Sequence, residues 1–135
     1  MTHRFEGERT LMRIFIGESD RCLEGPYHGK PLYEALLAFL RERGFAGATV
    51  LRGIAGFGAS AKVHTDRILR LSLDLPIVVE VVESEEKIHD AMPELDRMIG
   101  GGLITLERAH VILYRSAGAG GDPLERIDGF EPADG

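Results

Sequence analysis

IVVEVVE, residues 77–83, is the stretch that decides the fold. It is β-branched and apolar, and Pro76 marks the break before it, which together read as a strand. Successive strand side chains point to opposite faces of a sheet. Ile77, Val79 and Val81 therefore share one face, and Val78 and Val82 share the other. A half-buried antiparallel strand alternates apolar with polar residues. Apart from Glu80 this one does not, so both of its faces call for cover.

Outward from it, the pattern changes to a helix. Ser84 is placed to cap a helix running to about Ile99. Ile88, Ala91, Met92, Leu95, Met98 and Ile99 supply its apolar face. Pro93 lies inside that pattern, removes one helix hydrogen bond, and predicts a kink or a division. Gly100-Gly101-Gly102 ends the segment, and Leu103 to Arg115 contains a final strand, strongest at Val111 to Tyr114.

Upstream the same order recurs. LMRIFI (11–16) is a strand stopped by Gly17-Glu18-Ser19-Asp20, and residues 21–30 form a loop. Pro31 stands at the first helical position. Leu32, Ala35, Leu36, Phe39 and Leu40 fall on one face of a helix over 31–43. Gly44 is its expected cap, with Arg41 and Arg43 near the negative helix end. GATVLRGIA (47–55) reads as the second strand, broken by Gly56-Phe57-Gly58. From Ala59 to Asp74, leucines 69, 71, 73 and 75 alternate with polar residues, which favours an extended arm, with a helical turn over Thr65–Leu71 as the alternative. Residues 1–10 read as a loose leader and 116–135 as a mobile Gly-, Pro- and acid-rich tail, leaving one domain over 11–115.

The order β-α-β, arm, β-α-β is the ferredoxin-like βαββαβ pattern of an α+β protein. Both helices lie on one face of such a sheet. No third helix exists to cover the other, so a second subunit is the expected cover.

Bulk properties agree and exclude. The 135 residues suit one domain. Net charge is −6, which argues against a nucleic-acid partner, since such binders carry a basic footprint. The single cysteine, Cys22, excludes an internal disulfide framework. The sequence has no apolar run of signal-peptide or membrane-span length, and a cytoplasmic location is expected.

RIFIGESDR (13–21), GKPLYEALL (29–37), GATVLRGIAGFGAS (47–60), HTDRILRLSLDLPIVVEVVESEEKI (64–88) and PELDRMIGGGLITLE (93–107) together resemble the DUF190 family. DUF190 proteins are similar in fold to the PII signalling proteins. The resemblance implies a trimer with sheets facing inward and ligand sites in clefts between subunits. PII proteins bind adenine nucleotides and regulate other proteins through a long loop between the second and third strands. Here that loop corresponds to about Gly56–Asp74. Gly100, Gly101 and Gly102 stand where PII has a phosphate-contacting glycine loop, and Arg115 stands near its basic phosphate-binding residues. The tyrosine-tipped loop and the PII glycine signature are absent from this sequence.

The residues themselves offer several candidate contacts. Gly56, Phe57 and Gly58 allow backbone N–H groups to approach an anion, or else form a plain strand-end turn. Gly100–Gly102 allow the same, or else a helix cap. Neither segment has the spacing of a P-loop or a dinucleotide fingerprint. Arg52, among apolar residues, needs a carboxylate, phosphate or backbone partner, and Glu80 is one candidate. Glu18 and Asp20 offer carboxylates to a cation or ligand, or form a solvated turn. Lys30 and Tyr33 flank the positive end of the first helix, or are an exposed lysine and a packed ring. His64 is a hydrogen-bonding candidate in the arm, or a surface residue. The five histidines show no metal-ligand spacing, and Cys22 reads as an ordinary thiol.

The favoured reading is a trimeric sensor without catalytic activity. It takes a small anionic ligand, an adenine nucleotide being the first candidate, and presents the arm to a partner such as a membrane transporter. A trimer that binds only protein, and a small hydrolase using Glu18, Asp20 or His64, are the alternatives.

Overall fold

Hydrophobic periodicity sets the elements of the computed structural model, which describes residues 5–58 and 74–116. In chain order they are β1 (Phe5–Gly17), α1 (Leu32–Glu42), β2 (Thr49–Arg52), β3 (Pro76–Glu83), α2 (Glu85–Met98) and β4 (Leu103–Tyr114). The four strands form one sheet in the order β2-β3-β1-β4, with every neighbouring pair antiparallel. This α+β arrangement, with two helices, is ferredoxin-like.

The register carries the core. Met12 pairs with Val81, Ile14 with Val79 and Ile16 with Ile77. All six are buried, and they pack against Leu32, Leu36 and Leu40 of α1 and Ile88, Ala91 and Leu95 of α2. Burying one such large apolar side chain contributes roughly 1.5–3 kcal/mol. On the opposite face of β3, Val78 is half-buried and Val82 is exposed. The described residues thus leave one sheet face without a helical layer.

α1 begins one residue later than its sequence predicts. Pro31 is the N-cap with an extended ψ of 128°, because it forms a β-bridge with Arg21. Leu32 N–H, otherwise an orphan of the first turn, donates to the Asp20 carbonyl at 2.8 Å. At the other end Gly44 takes φ +77°, the left-handed conformation that closes a helix cheaply only with glycine.

Pro93 does not divide α2, which is continuous over Glu85–Met98. Pro93 and His89, whose carbonyl loses its helical donor, are both exposed, so water can satisfy that oxygen. The Ser84 hydroxyl accepts from Lys87 N–H at 3.3 Å, as an N-cap does.

The leader expected over residues 1–10 is corrected from Phe5 onward. β1 extends back to Phe5, and its first residues pair with β4 alone: Gly7 with Val111, Glu8 with His110, Arg9 with Ala109. Phe5 is buried against Ala46, Val111 and Tyr114, with the Arg9 guanidinium 3.7 Å above its ring. The second strand is shorter than its 47–55 prediction. Its ladder ends where Gly53 N–H donates to the Pro76 carbonyl, since Pro76 opens β3 without an N–H of its own. The expected tail over 116–135, from residue 117 onward, lies outside the described residues.

Among the described residues one carboxylate is fully buried. Glu83 is 0% exposed, on the core face of β3. Its Oε1 accepts from Ala46 N–H at 3.1 Å and its Oε2 from Ser84 N–H at 3.0 Å. Burial pushes its pKa above the ordinary range, and these two bonds hold it back only in part.

Candidate functional site

Antiparallel topology gathers four chain segments at one end of the sheet. They are the exit of β1 at Gly17, the exit of β2 toward Phe57, the entry of β3 at Pro76 and the entry of β4 at Leu103. A cleft of about 390 Å³ lies among them. Phe15, Ile16, Gly17, Gly56, Phe57, Gly58, Asp74, Pro76, Ile77, Gly101, Gly102 and Leu103 line it. Two glycine segments more than forty residues apart in sequence thus face one space.

Close approach of neighbouring chain explains Gly102 and Gly53, whereas Gly58 and Gly101 have open space at their Cβ positions. A Cβ at Gly102 would lie 2.6 Å from the Phe15 carbonyl oxygen. A Cβ at Gly53 would lie 2.7 Å from Cγ of Pro76. Large apolar side chains stand uncovered beside them: Phe57 is 86% exposed and Leu103 58%.

The cleft border is charged and ordered. Gly17 N–H donates to Asp20 Oδ2 at 2.9 Å, and Asp20 N–H returns a bond to the Gly17 carbonyl at 3.2 Å. Asp20 therefore holds a turn. Ser19 N–H donates to Asp74 Oδ1 at 3.0 Å, and Glu18 N–H donates to the Leu75 carbonyl at 2.8 Å. These bonds tie the β1 exit to the β3 entry. Arg52, opposite Ile77 in the ladder, donates from a terminal guanidinium nitrogen to Glu18 Oε2.

That pairing gives Arg52 the carboxylate partner its sequence called for, but the carboxylate is Glu18 and not the candidate Glu80. Glu80 points to the other face, where it accepts from Arg13 Nε at 2.8 Å, and Glu107 takes a terminal nitrogen of the same arginine. The Glu80 hydrogen bond is the largest cause holding the Arg13 guanidinium above its ordinary pKa. Thr49, not Arg52, is the β2 partner of Glu80.

The remaining predicted residues divide. Gly56, Phe57, Gly58, Gly101 and Gly102 line the cleft, and Glu18 and Arg52 flank it. Gly100 instead meets Leu23, whose Cδ1 would lie 3.0 Å from an added Cβ. Lys30 is exposed in the loop before α1, and Tyr33 packs against the core; neither lines the cleft. Arg115 follows the far end of β4, whose 12 residues span roughly 35 Å from the cleft. Within one chain it does not join the site. His64 lies outside the described residues. Sequence reasoning missed Asp74, Phe15 and Leu103, which only the register brings to the cleft.

Cys22 is buried and its thiol donates to the Glu24 carbonyl at 3.3 Å. Burial pushes its pKa up, away from the reactive thiolate. Among the described residues no three His, Cys, Asp or Glu side chains gather to hold a metal ion. None of the described helices is long and apolar enough to cross a membrane.

The DUF190 family model, described as an uncharacterised ACR, matches residues 9–111. The chain belongs to the DUF190 family. A UPF0166 protein of Aquifex aeolicus is 40% identical over 105 residues, covering 78% of this chain and 94% of the relative. A second UPF0166 protein of that organism is 44% identical over 104 residues, covering 77% and 97%. One from Methanocaldococcus jannaschii is 34% identical over 102 residues, covering 75% and 89%. The DUF190 match covers α1, β2, β3 and α2 whole and most of β1 and β4, and both glycine segments of the cleft fall inside it.

Proposed function

We propose that this DUF190 protein is a PII-like sensor that binds a small anionic ligand at the strand-end cleft and signals through the segment after β2. The observation that carries this reading is the meeting of Gly56–Gly58 with Gly101–Gly102 around one space. Backbone N–H groups at such turns favour anions. Phe57 and Leu103 add exposed apolar surface suited to a flat base. An adenine nucleotide combines both chemistries. A ligand with higher affinity for one state of the protein shifts the population toward it, and a partner protein, a membrane transporter by analogy with PII, reads the change. The cleft of one chain is open, and a neighbouring subunit of a trimer would close it.

A thermal-shift panel tests the proposal. It includes adenine and guanine nucleotides, cyclic nucleotides, bicarbonate and simple anions. A ligand at 100 times its dissociation constant stabilises by about 2.7 kcal/mol per site. We expect a dose-dependent shift with a phosphate-bearing ligand that Arg52→Ala diminishes. No shift across the panel rejects the sensor.

The bare sheet face favours a second reading, a trimer that binds only protein. Val82, Leu51 and Leu103 are exposed on the described chain. This reading predicts an assembled protein with no response to any small molecule.

A further inference from the structure

Among the described residues that line the cleft, Asp74 is the single charged side chain, and it is negative. Among these described lining residues a phosphate-bearing ligand finds no cation. The cation nearest in the ladder is Arg52, whose β3 partner Ile77 is a lining residue. Arg52 is already held by Glu18, which directly follows the lining residue Gly17. The pair is lopsided in its surroundings: the Arg52 side chain is 59% exposed and the Glu18 side chain 22%. The guanidinium thus faces solvent while its carboxylate partner is mostly covered, on a backbone whose Glu18 N–H is anchored on the Leu75 carbonyl.

We propose that Glu18 is a built-in competitor for the ligand's anionic group at Arg52, and so a specificity-determining residue that favours polyphosphates over a single phosphate. This rests on the anion-binding reading above. A ligand oxygen reaches the guanidinium only by displacing, or sharing it with, the Glu18 carboxylate. A single phosphate exchanges one carboxylate contact for one equivalent contact and gains little. A diphosphate or triphosphate brings several oxygens, and its remaining charge is met by backbone N–H groups of the glycine turns. Exposed ion pairs are weak, so the competitor sets a threshold rather than a block.

Isothermal titration calorimetry with inorganic pyrophosphate and orthophosphate tests the assignment on the full chain. The proteins are wild type, Glu18→Gln, Glu18→Asp, Arg52→Gln and the Glu18→Gln/Arg52→Gln double variant. Arg52 is exposed and Glu18 half-buried, and a cooperative thermal transition without ligand confirms that each variant folds. We expect wild type to bind pyrophosphate more tightly than orthophosphate. Glu18→Gln should tighten both, by about two- to fivefold from loss of an exposed pair, with the larger gain for orthophosphate. Glu18→Asp should stay close to wild type. The gain should vanish in the double variant, since a coupling through Arg52 needs Arg52 present. Arg52-dependent binding that Glu18→Gln leaves unchanged or weakens overturns the competitor role while sparing the anion reading. A gain that survives without Arg52 also overturns it. Absence of binding in all five proteins rejects both readings together.

Discussion

Gly102 is a position where one methyl group decides the local geometry. Its missing Cβ leaves room for the Phe15 carbonyl oxygen, which would stand 2.6 Å away. Backbone cannot swing aside as a flexible side chain does, so Gly102→Ala must part the β1 exit from the β4 entry. Overpacking of this kind costs about 1–3 kcal/mol, and urea denaturation of the variant should register that loss. Gly101, with open space around its Cβ position, should accept alanine with little change in stability. Sequence alone reads the three glycines as one segment. It cannot separate them, because the constraint comes from an oxygen about ninety residues upstream. Glu83 gives a second residue-scale expectation. Burial raises its folded pKa above the ordinary 4.5, so the folded chain binds that proton more readily than the unfolded chain. The stabilising contribution is complete below the ordinary value and is lost as pH rises through the raised one. Glu83→Gln carries no such titration. The unfolding free energy of wild type relative to Glu83→Gln should therefore fall as pH is raised from about 4 toward neutrality. A difference that stays flat with pH, in urea titrations across that range, counts against the buried-carboxylate account.

At the scale of elements, legibility follows the range of the stabilising contacts. α1 is written in its own eleven residues, with an apolar stripe and a glycine stop. β3 is equally plain, since its valines are local. The first part of β1 is not. Phe5–Arg9 read as polar and aperiodic, and they are strand because β4 pairs with them from roughly a hundred residues away. β2 errs the other way: its β-prone run outlasts its ladder, which stops at Pro76. The cleft was legible as two glycine segments in a βαββαβ order, whereas Asp74 and the Glu18–Arg52 pair needed the register. Pro93 is a local signal that tertiary structure overrides. Ile88, Ala91, Leu95 and Met98 are buried on both sides of it, and that packing holds the helix together across the missing bond. The proline itself is exposed, so replacing it removes little packing. Pro93→Ala should restore the bond to the His89 carbonyl and stabilise the chain. The helix gain of about 3 kcal/mol is partly offset by greater freedom of the unfolded chain, about 0.4–1 kcal/mol. A net rise in the urea midpoint is the expected result, with an unchanged slope.

At the scale of the whole molecule, the two sheet faces obey different rules. The helix face has a closed core, and the buried Glu83 carboxylate there has hydrogen-bond partners. The open face mixes apolar residues with an ion triad, in which Arg13 of β1 bridges Glu80 of β3 and Glu107 of β4. Such a face is wet in a lone chain and must be complementary to something in an assembly. The triad carries two acids for one base, and an aspartate added beside it would be buried without a partner if another subunit covered the sheet. Val82 is the place to make that change, two residues from Glu80 on the same strand and 37% exposed. In a monomer, Val82→Asp is a surface substitution, and such changes usually stay within about 0.5 kcal/mol. In an inward-facing trimer, it places an unpaired charge in the interface, which is strongly disfavoured. Light scattering at micromolar concentration separates the cases. Wild type should have a mass about three times 14.8 kDa, and Val82→Asp should shift it toward the mass of one chain while each chain keeps its fold by circular dichroism. A wild-type protein that stays at the mass of one chain would mean that water, and not a second copy, is the solvent for which this face is built.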